Sequence, residues 1–128
     1  MKRSSSGASW ERIAEIYLRE RGLDIVQRNF RTRRGEVDLI AKHRHDLVFV
    51  EVRARSNARY VSAIASVDRR KQARLVSTAA AFLGKYYGGA SQPMTRFDVI
   101  TIDEVSDPEG FRLRWLRNAF DATGLQLA

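Results

Sequence analysis

The 128-residue chain has no cysteine, only two prolines and two histidines, and far fewer acids than bases. Without cysteine there can be no disulfide framework and no thiolate metal site, zinc ribbons included; a reducing compartment fits, and the cytoplasm is the expected location. No uninterrupted apolar run approaches the roughly 20 residues that cross a bilayer, and no terminal anchor is visible, so no membrane partner is expected. The start, MKRSSSGAS, is basic, but polar residues stand where a secretory signal would carry its apolar region, so residues 1–8 read as a disordered basic tail. Bases are abundant: 23 Lys and Arg stand against 15 Asp and Glu, a formal charge of +8 with pI near 10.6. Arginine is favoured over lysine, a bias that suits phosphate. With 44% hydrophobic residues the chain can bury one sizeable core, and residues 9–128 read as one domain.

Along that domain, Trp10, Ile13, Ala14, Tyr17 and Leu18 recur at helical spacing behind a Ser9 cap, and Gly22 offers a stop. A short strand over Asp24 to Arg28 should lead through RNFRTRR, a solvated arginine-rich loop, into two strands, GEVDLIA and LVFVEVRAR. SNARYVSAIAS reads as a loop or an irregular strand. VDRRKQARLVSTAAAFLGKYYGG reads as a long helix closed by Gly88 and Gly89, burying Leu75, Ala79, Phe82, Leu83 and Tyr86. Arg69, Arg70, Lys71 and Arg74 crowd its first turns and oppose the helix dipole. RFDVITI and FRLRWL read as further strands, and RNAFDATG as a short closing helix. The alternation implies an α/β sandwich around a mixed sheet.

The central hairpin raises a chemical question. With Arg44-His45 as its two-residue turn, Val37 faces Val52, Leu39 faces Val50 and Ala41 faces Val48, building one apolar face. The same register sets Asp38 opposite Glu51 and Glu36 opposite Arg53 on the other face, with cross-strand Cβ atoms roughly 4.5–5.5 Å apart. Two adjacent carboxylates repel, so the pair needs a cation. An oxygen-ligated divalent ion, Mg²⁺ or Mn²⁺, with open positions for water and phosphate is one answer; neutralisation by nearby arginines in a plain surface network is the other.

GEVDLIA followed by LVFVEVRAR, together with WERIAEIYL, QRNFRTRRGEVD, SVDRRKQARL, RFDVITI and NAFD in that order, resembles the YraN-like family of uncharacterised bacterial proteins, predicted endonucleases of the PD-(D/E)xK superfamily similar in fold to archaeal Holliday junction resolvases. The resemblance implies a restriction-endonuclease-like core, a mixed β-sheet flanked by helices. It implies that Asp38 and Glu51 are metal-binding acids, with Glu11 of the first helix as a third ligand. The superfamily pattern has a lysine two residues after the second acid, where this chain has Arg53. A guanidinium stays protonated and cannot act as a base, so Arg53 supplies charge alone.

The expected function is therefore metal-dependent, endonuclease-like binding and hydrolysis of DNA, branched or structured forms included, with DNA favoured over RNA and a homodimer in keeping with resolvase-like folds. The alternative is a catalytically inactive nuclease-fold module that binds nucleic acid. Arg31, Arg33, Arg34, Arg55, Arg69, Arg70, Lys71 and Gln72 are the candidate nucleic-acid contacts, gathered on both sides of the acidic hairpin. Glu36 is expected to pair with Arg53, and Asp98 to be structural. His43 and His45 flank the turn without a third ligand, and Trp10 and Trp115 are expected in the core rather than as base-stacking platforms.

Overall fold

A computed structural model describes residues 2–55, 62, 64–88, 92–105 and 110–121, and the side chains from Trp10 onward except Ile64. Helix α1 spans Lys2–Glu20, so it starts ahead of the Ser9 cap; the expected tail falls on a stretch whose side chains lie outside the described residues. Strands β1 (Asp24–Thr32), β2 (Gly35–His43) and β3 (Asp46–Arg55) follow, then a 3-10 turn (Ile64–Ser66), helix α2 (Arg69–Tyr86), and strands β4 (Met94–Glu104) and β5 (Phe111–Phe120). The strands lie in the order β1-β2-β3-β4-β5. The first three form an antiparallel meander, β4 runs parallel to β3 after the α2 crossover, and β5 returns antiparallel. This is an α/β fold with a restriction-endonuclease-like core. Among the described residues no helix is long and apolar enough to cross a membrane.

Each face of the sheet carries its own core. Ala14 and Leu18 of α1 are buried on Leu39, Ala41, Val48, Val50, Ile100 and Ile102, with Trp10, Ile13, Tyr17 and Trp115 partly buried against them. Gly22, at φ 94°, lets the chain leave α1 in the left-handed conformation that ends helices. On the opposite face Leu75, Val76, Ala79 and Phe82 of α2 cover Ile40, Leu47, Phe49, Phe97 and Val99. The hairpin face expected to be polar is thus largely a second apolar layer, and the acids stand at its margin. Tyr86 is 50% exposed and does not belong to the buried stripe of α2, whereas Val76 and Thr78 do.

Two expected elements differ. RNFRTRR is not a loop: β1 runs on to Thr32, because Phe30 is buried edge-on against Phe82 at 5.2 Å and pairs with Val37. RNAFDATG does not open a helix, since Arg117 to Phe120 prolong β5 and Phe120 stacks on Phe97 at 5.1 Å; residues 122–124 lie outside the described residues. SNARYVSAIAS also falls mostly outside them, as does Gly89.

Asp98 is structural. Fully buried at the β4–β5 bulge, it accepts hydrogen bonds from Arg96 Nε (3.0 Å), Trp115 Nε1 (2.9 Å) and the Asn118 amide (2.9 Å).

Candidate functional site

The β2–β3 ladder runs from His43–Asp46 to Leu39–Val50 around the Arg44-His45 turn, the register expected from the sequence. Beyond it Asp38 itself takes over, accepting a hydrogen bond from the Val52 amide through Oδ2 at 2.8 Å. Val37/Val52 and Glu36/Arg53 consequently lie outside the ladder. Val37 does not share a face with Leu39: it sits in the α2 core, opposite Phe30. At the same level of β1, Asn29 has φ 52°. Arg28, one residue earlier, ties to Glu15 of α1 at 2.7 Å, while Phe30, one later, packs under α2. Both strands change face at this level. Asp38, at the crossing point, can meet groups from both helices.

Glu51 arrives from β3 with only 4% of its surface exposed. Burial is the main cause that raises its carboxyl to about 8; the Asp38 charge adds to the rise and Lys71 opposes it. Asp38 is raised as well, first by burial, with the Val52 amide pulling the other way. The two acids act on each other's ionisation, and such a pair needs a proton or a cation between its members. Lys71 from α2 supplies one cation, its Nζ 3.2 Å from Glu51 Oε2; Arg53 Nη1 is farther, at 4.0 Å. The sequence grouped Lys71 with phosphate contacts, but the fold aims it at Glu51. Asp68 fixes that approach, capping α2 by accepting from the Lys71 amide at 2.9 Å.

Glu11, the third acid, reaches the same place from α1. Its carboxyl is raised to about 7 by partial burial, then by the charges of Asp38 and Glu36. Asn29 links the acids: with its amide nitrogen turned toward them, Nδ2 lies 3.1 Å from Glu11 Oε1 and 3.0 Å from Glu36 Oε2. Sequence reasoning missed Asn29. The available signal was its residue type, since asparagine tolerates the left-handed backbone better than most residues. Glu36 pairs with Arg31 at 3.2 Å rather than with Arg53.

The acids open into a small cavity of about 150 Å³ lined by Gly35, Glu36, Asp38, Glu51, Lys71, Arg74 and Leu75. Gly35 lies close to α2, where a Cβ would come within 3.2 Å of Thr78 Oγ1. Larger hollows lie elsewhere. One of about 500 Å³ between α1 and β5 is largely apolar and remote from the acids, so chemistry rather than size singles out the small one. Another, of about 490 Å³, is lined by Arg33, Arg34 and α2 residues Ser77, Ala80 and Ala81. Arg31, Arg33, Arg34, Arg69 and Arg70 are exposed. Arg55 is not one of them: it forms a bidentate pair with buried Asp103 at 2.7 and 3.1 Å. Gln72 donates to the Val67 carbonyl at 2.8 Å, holding the start of α2 rather than facing the site. His43 is buried against Arg96 at 3.0 Å, whereas His45 is exposed.

Among the described residues no three His, Asp or Glu side chains are grouped closely enough to hold a metal ion together. The donor set is an adjacent acid pair, Asp38 and Glu51, with Glu11 behind it. Mg²⁺ commonly binds through one or two carboxylates and leaves the rest of its sphere to water and phosphate, so this set fits such an ion.

The model of uncharacterised protein family UPF0102 matches residues 10–102, which include every acid of the site. A UPF0102 protein of Halorhodospira halophila is 46% identical over 114 residues, covering 89% of this chain and 85% of the relative. One of Nitrosococcus oceani is 44% identical over 114 residues, covering 89% and 90%. One of Pseudomonas aeruginosa is 40% identical over 116 residues, covering 91% and 92%. With a two-helix, five-strand core and likeness along most of its length, the chain belongs to the UPF0102, or YraN-like, family.

Proposed function

We propose that this chain is a metal-dependent endonuclease-like protein of the cytoplasm that binds DNA, branched or structured forms included, and hydrolyses its phosphodiester backbone. One observation carries the reading: Asp38 and Glu51 are pressed together in a sheltered cavity whose rim is basic. A pair of like charges held this way costs stability, and a protein that only needed a phosphate-binding surface would gain by losing it. A fold by itself assigns no activity, so the weight rests on these residues.

Asp38 and Glu51 would hold the ion, with Glu11 behind the pair. Once bound, a divalent ion supplies Lewis-acid stabilisation of negative charge on phosphate and a nucleophile from water. The chain's own groups bind and orient. Exposed Arg31 near the end of β1, Arg33 and Arg34 on the β1–β2 turn and Arg69 and Arg70 on α2 hold the strand's phosphates, Arg74 lines the cavity, and Arg53 adds fixed charge beside Glu51. Arg53, standing where a lysine is expected, favours a second reading, a module that binds nucleic acid without cutting it.

Cleavage of linear, nicked and branched DNA with Mg²⁺ or Mn²⁺ separates the two. Metal-dependent cutting that disappears in Asp38→Asn supports the enzyme. Binding without cutting supports the module. Cutting that persists undiminished in Asp38→Asn comes from a contaminant and removes the case for catalysis.

A further inference from the structure

Three kinds of group face Glu51: Asp38 from β2, Arg53 on its own strand and Lys71 from α2. Only Lys71 both touches Glu51 and lines the cavity with the two acids. Its ammonium is 3.2 Å from Glu51 Oε2, and its side chain is one-third exposed, so the flexible stem has room to leave toward solvent. Arg53 lacks a place in the cavity lining. The lysine is also held independently of its side chain, because its backbone amide is fastened to the Asp68 cap and the neighbouring Gln72 to Val67.

We propose that Lys71 is the resident counter-ion of the acid pair, occupying the cation position at Glu51 until a divalent ion displaces it. The inference rests on the metal-site reading and deepens it. Two cations cannot both sit against one carboxylate pair without repelling each other. The ammonium therefore holds the position against Glu51 in the metal-free protein, and ion entry must break the Lys71–Glu51 contact. Lys71 sets the threshold for loading in this way and couples the ion to the first turn of α2.

The test counts Mn²⁺ binding by the electron spin resonance of the free ion, at one fixed pH under nitrogen, in the full chain. Lys71→Met and Lys71→Gln should bind Mn²⁺ about five-fold more tightly or better, since each removes a competing unit charge at contact distance. Lys71→Arg retains that charge and should stay within about two-fold of the parent. Using two neutral variants guards against one that fails to fold, and far-ultraviolet circular dichroism checks both. Equal or weaker binding in both neutral variants, with binding in the parent lost in Asp38→Asn, overturns the counter-ion role and leaves the metal site standing. If the parent binds no Mn²⁺, or Asp38→Asn binds as well as the parent, the metal site itself fails and the proposal falls with it.

Discussion

Replacing Glu51 by glutamine should stabilise the metal-free protein, and by more as pH rises. The carboxyl is lifted from 4.5 to about 8 in the fold. A folded-state value above the unfolded one means that the native protein holds the extra proton; the group's contribution is fully present below pH 4.5 and is lost as pH rises through about 8. That rise spans roughly three and a half pH units, and at about 1.36 kcal/mol for each it sets a ceiling near 5 kcal/mol. Glutamine removes the buried charge but strands the Lys71 ammonium beside Asp38, so about half the ceiling, roughly 2–3 kcal/mol, is the expected gain at pH 9. For a domain of this size that corresponds to a melting temperature higher by roughly 6–12 °C. At pH 5 the two proteins should melt together within about 2 °C. Thermal unfolding in EDTA at pH 5, 7 and 9 measures the gap directly. Adding Mn²⁺ at pH 9 should then close it, because the parent gains by binding the ion and the variant does not. A gap that is flat with pH, or a glutamine variant less stable than the parent at pH 9, would refute the reasoning that Glu51 is an ion held at a cost.

Asn29→Gly keeps the left-handed backbone and deletes the amide, so its melting temperature should fall less than that of Asn29→Val, which adds about 1–2 kcal/mol of backbone strain; equal losses would mean that φ at this position does not matter. Asp98→Ala should cost about 3–5 kcal/mol in urea unfolding, since Arg96, the Trp115 indole and the Asn118 amide all lose their shared acceptor; a loss under about 1 kcal/mol would show that water replaces the carboxylate. DNA affinity should fall steeply with salt, and Arg33→Ala with Arg34→Ala should flatten the double-logarithmic slope by about two, whereas Arg55→Ala should leave it unchanged because Arg55 is engaged with Asp103.

The sequence alone determined the local and periodic features. The Arg44-His45 turn set the β2–β3 register, and two-residue alternation put Leu39, Ala41, Val48 and Val50 on one buried face. Spacing gave α1 and α2, and the like charges of Asp38 and Glu51 on one face of the hairpin pointed to a cation. Motif resemblance supplied Glu11 and the fold class. The tertiary structure decided the rest, for one physical reason: the groups concerned are far apart in the chain and meet only when both faces of the sheet are covered. Burial under α2 turned the supposed polar face into a second core and made RNFRTRR a strand. Level with Asn29, Val37 turned to the other layer and Asp38 came to stand between the helices. Arg55 found a buried partner in Asp103, 48 positions away. Lys71 stands twenty residues after Glu51, and no periodicity relates them; only the packing of α2 on the hairpin puts an ammonium against that carboxylate.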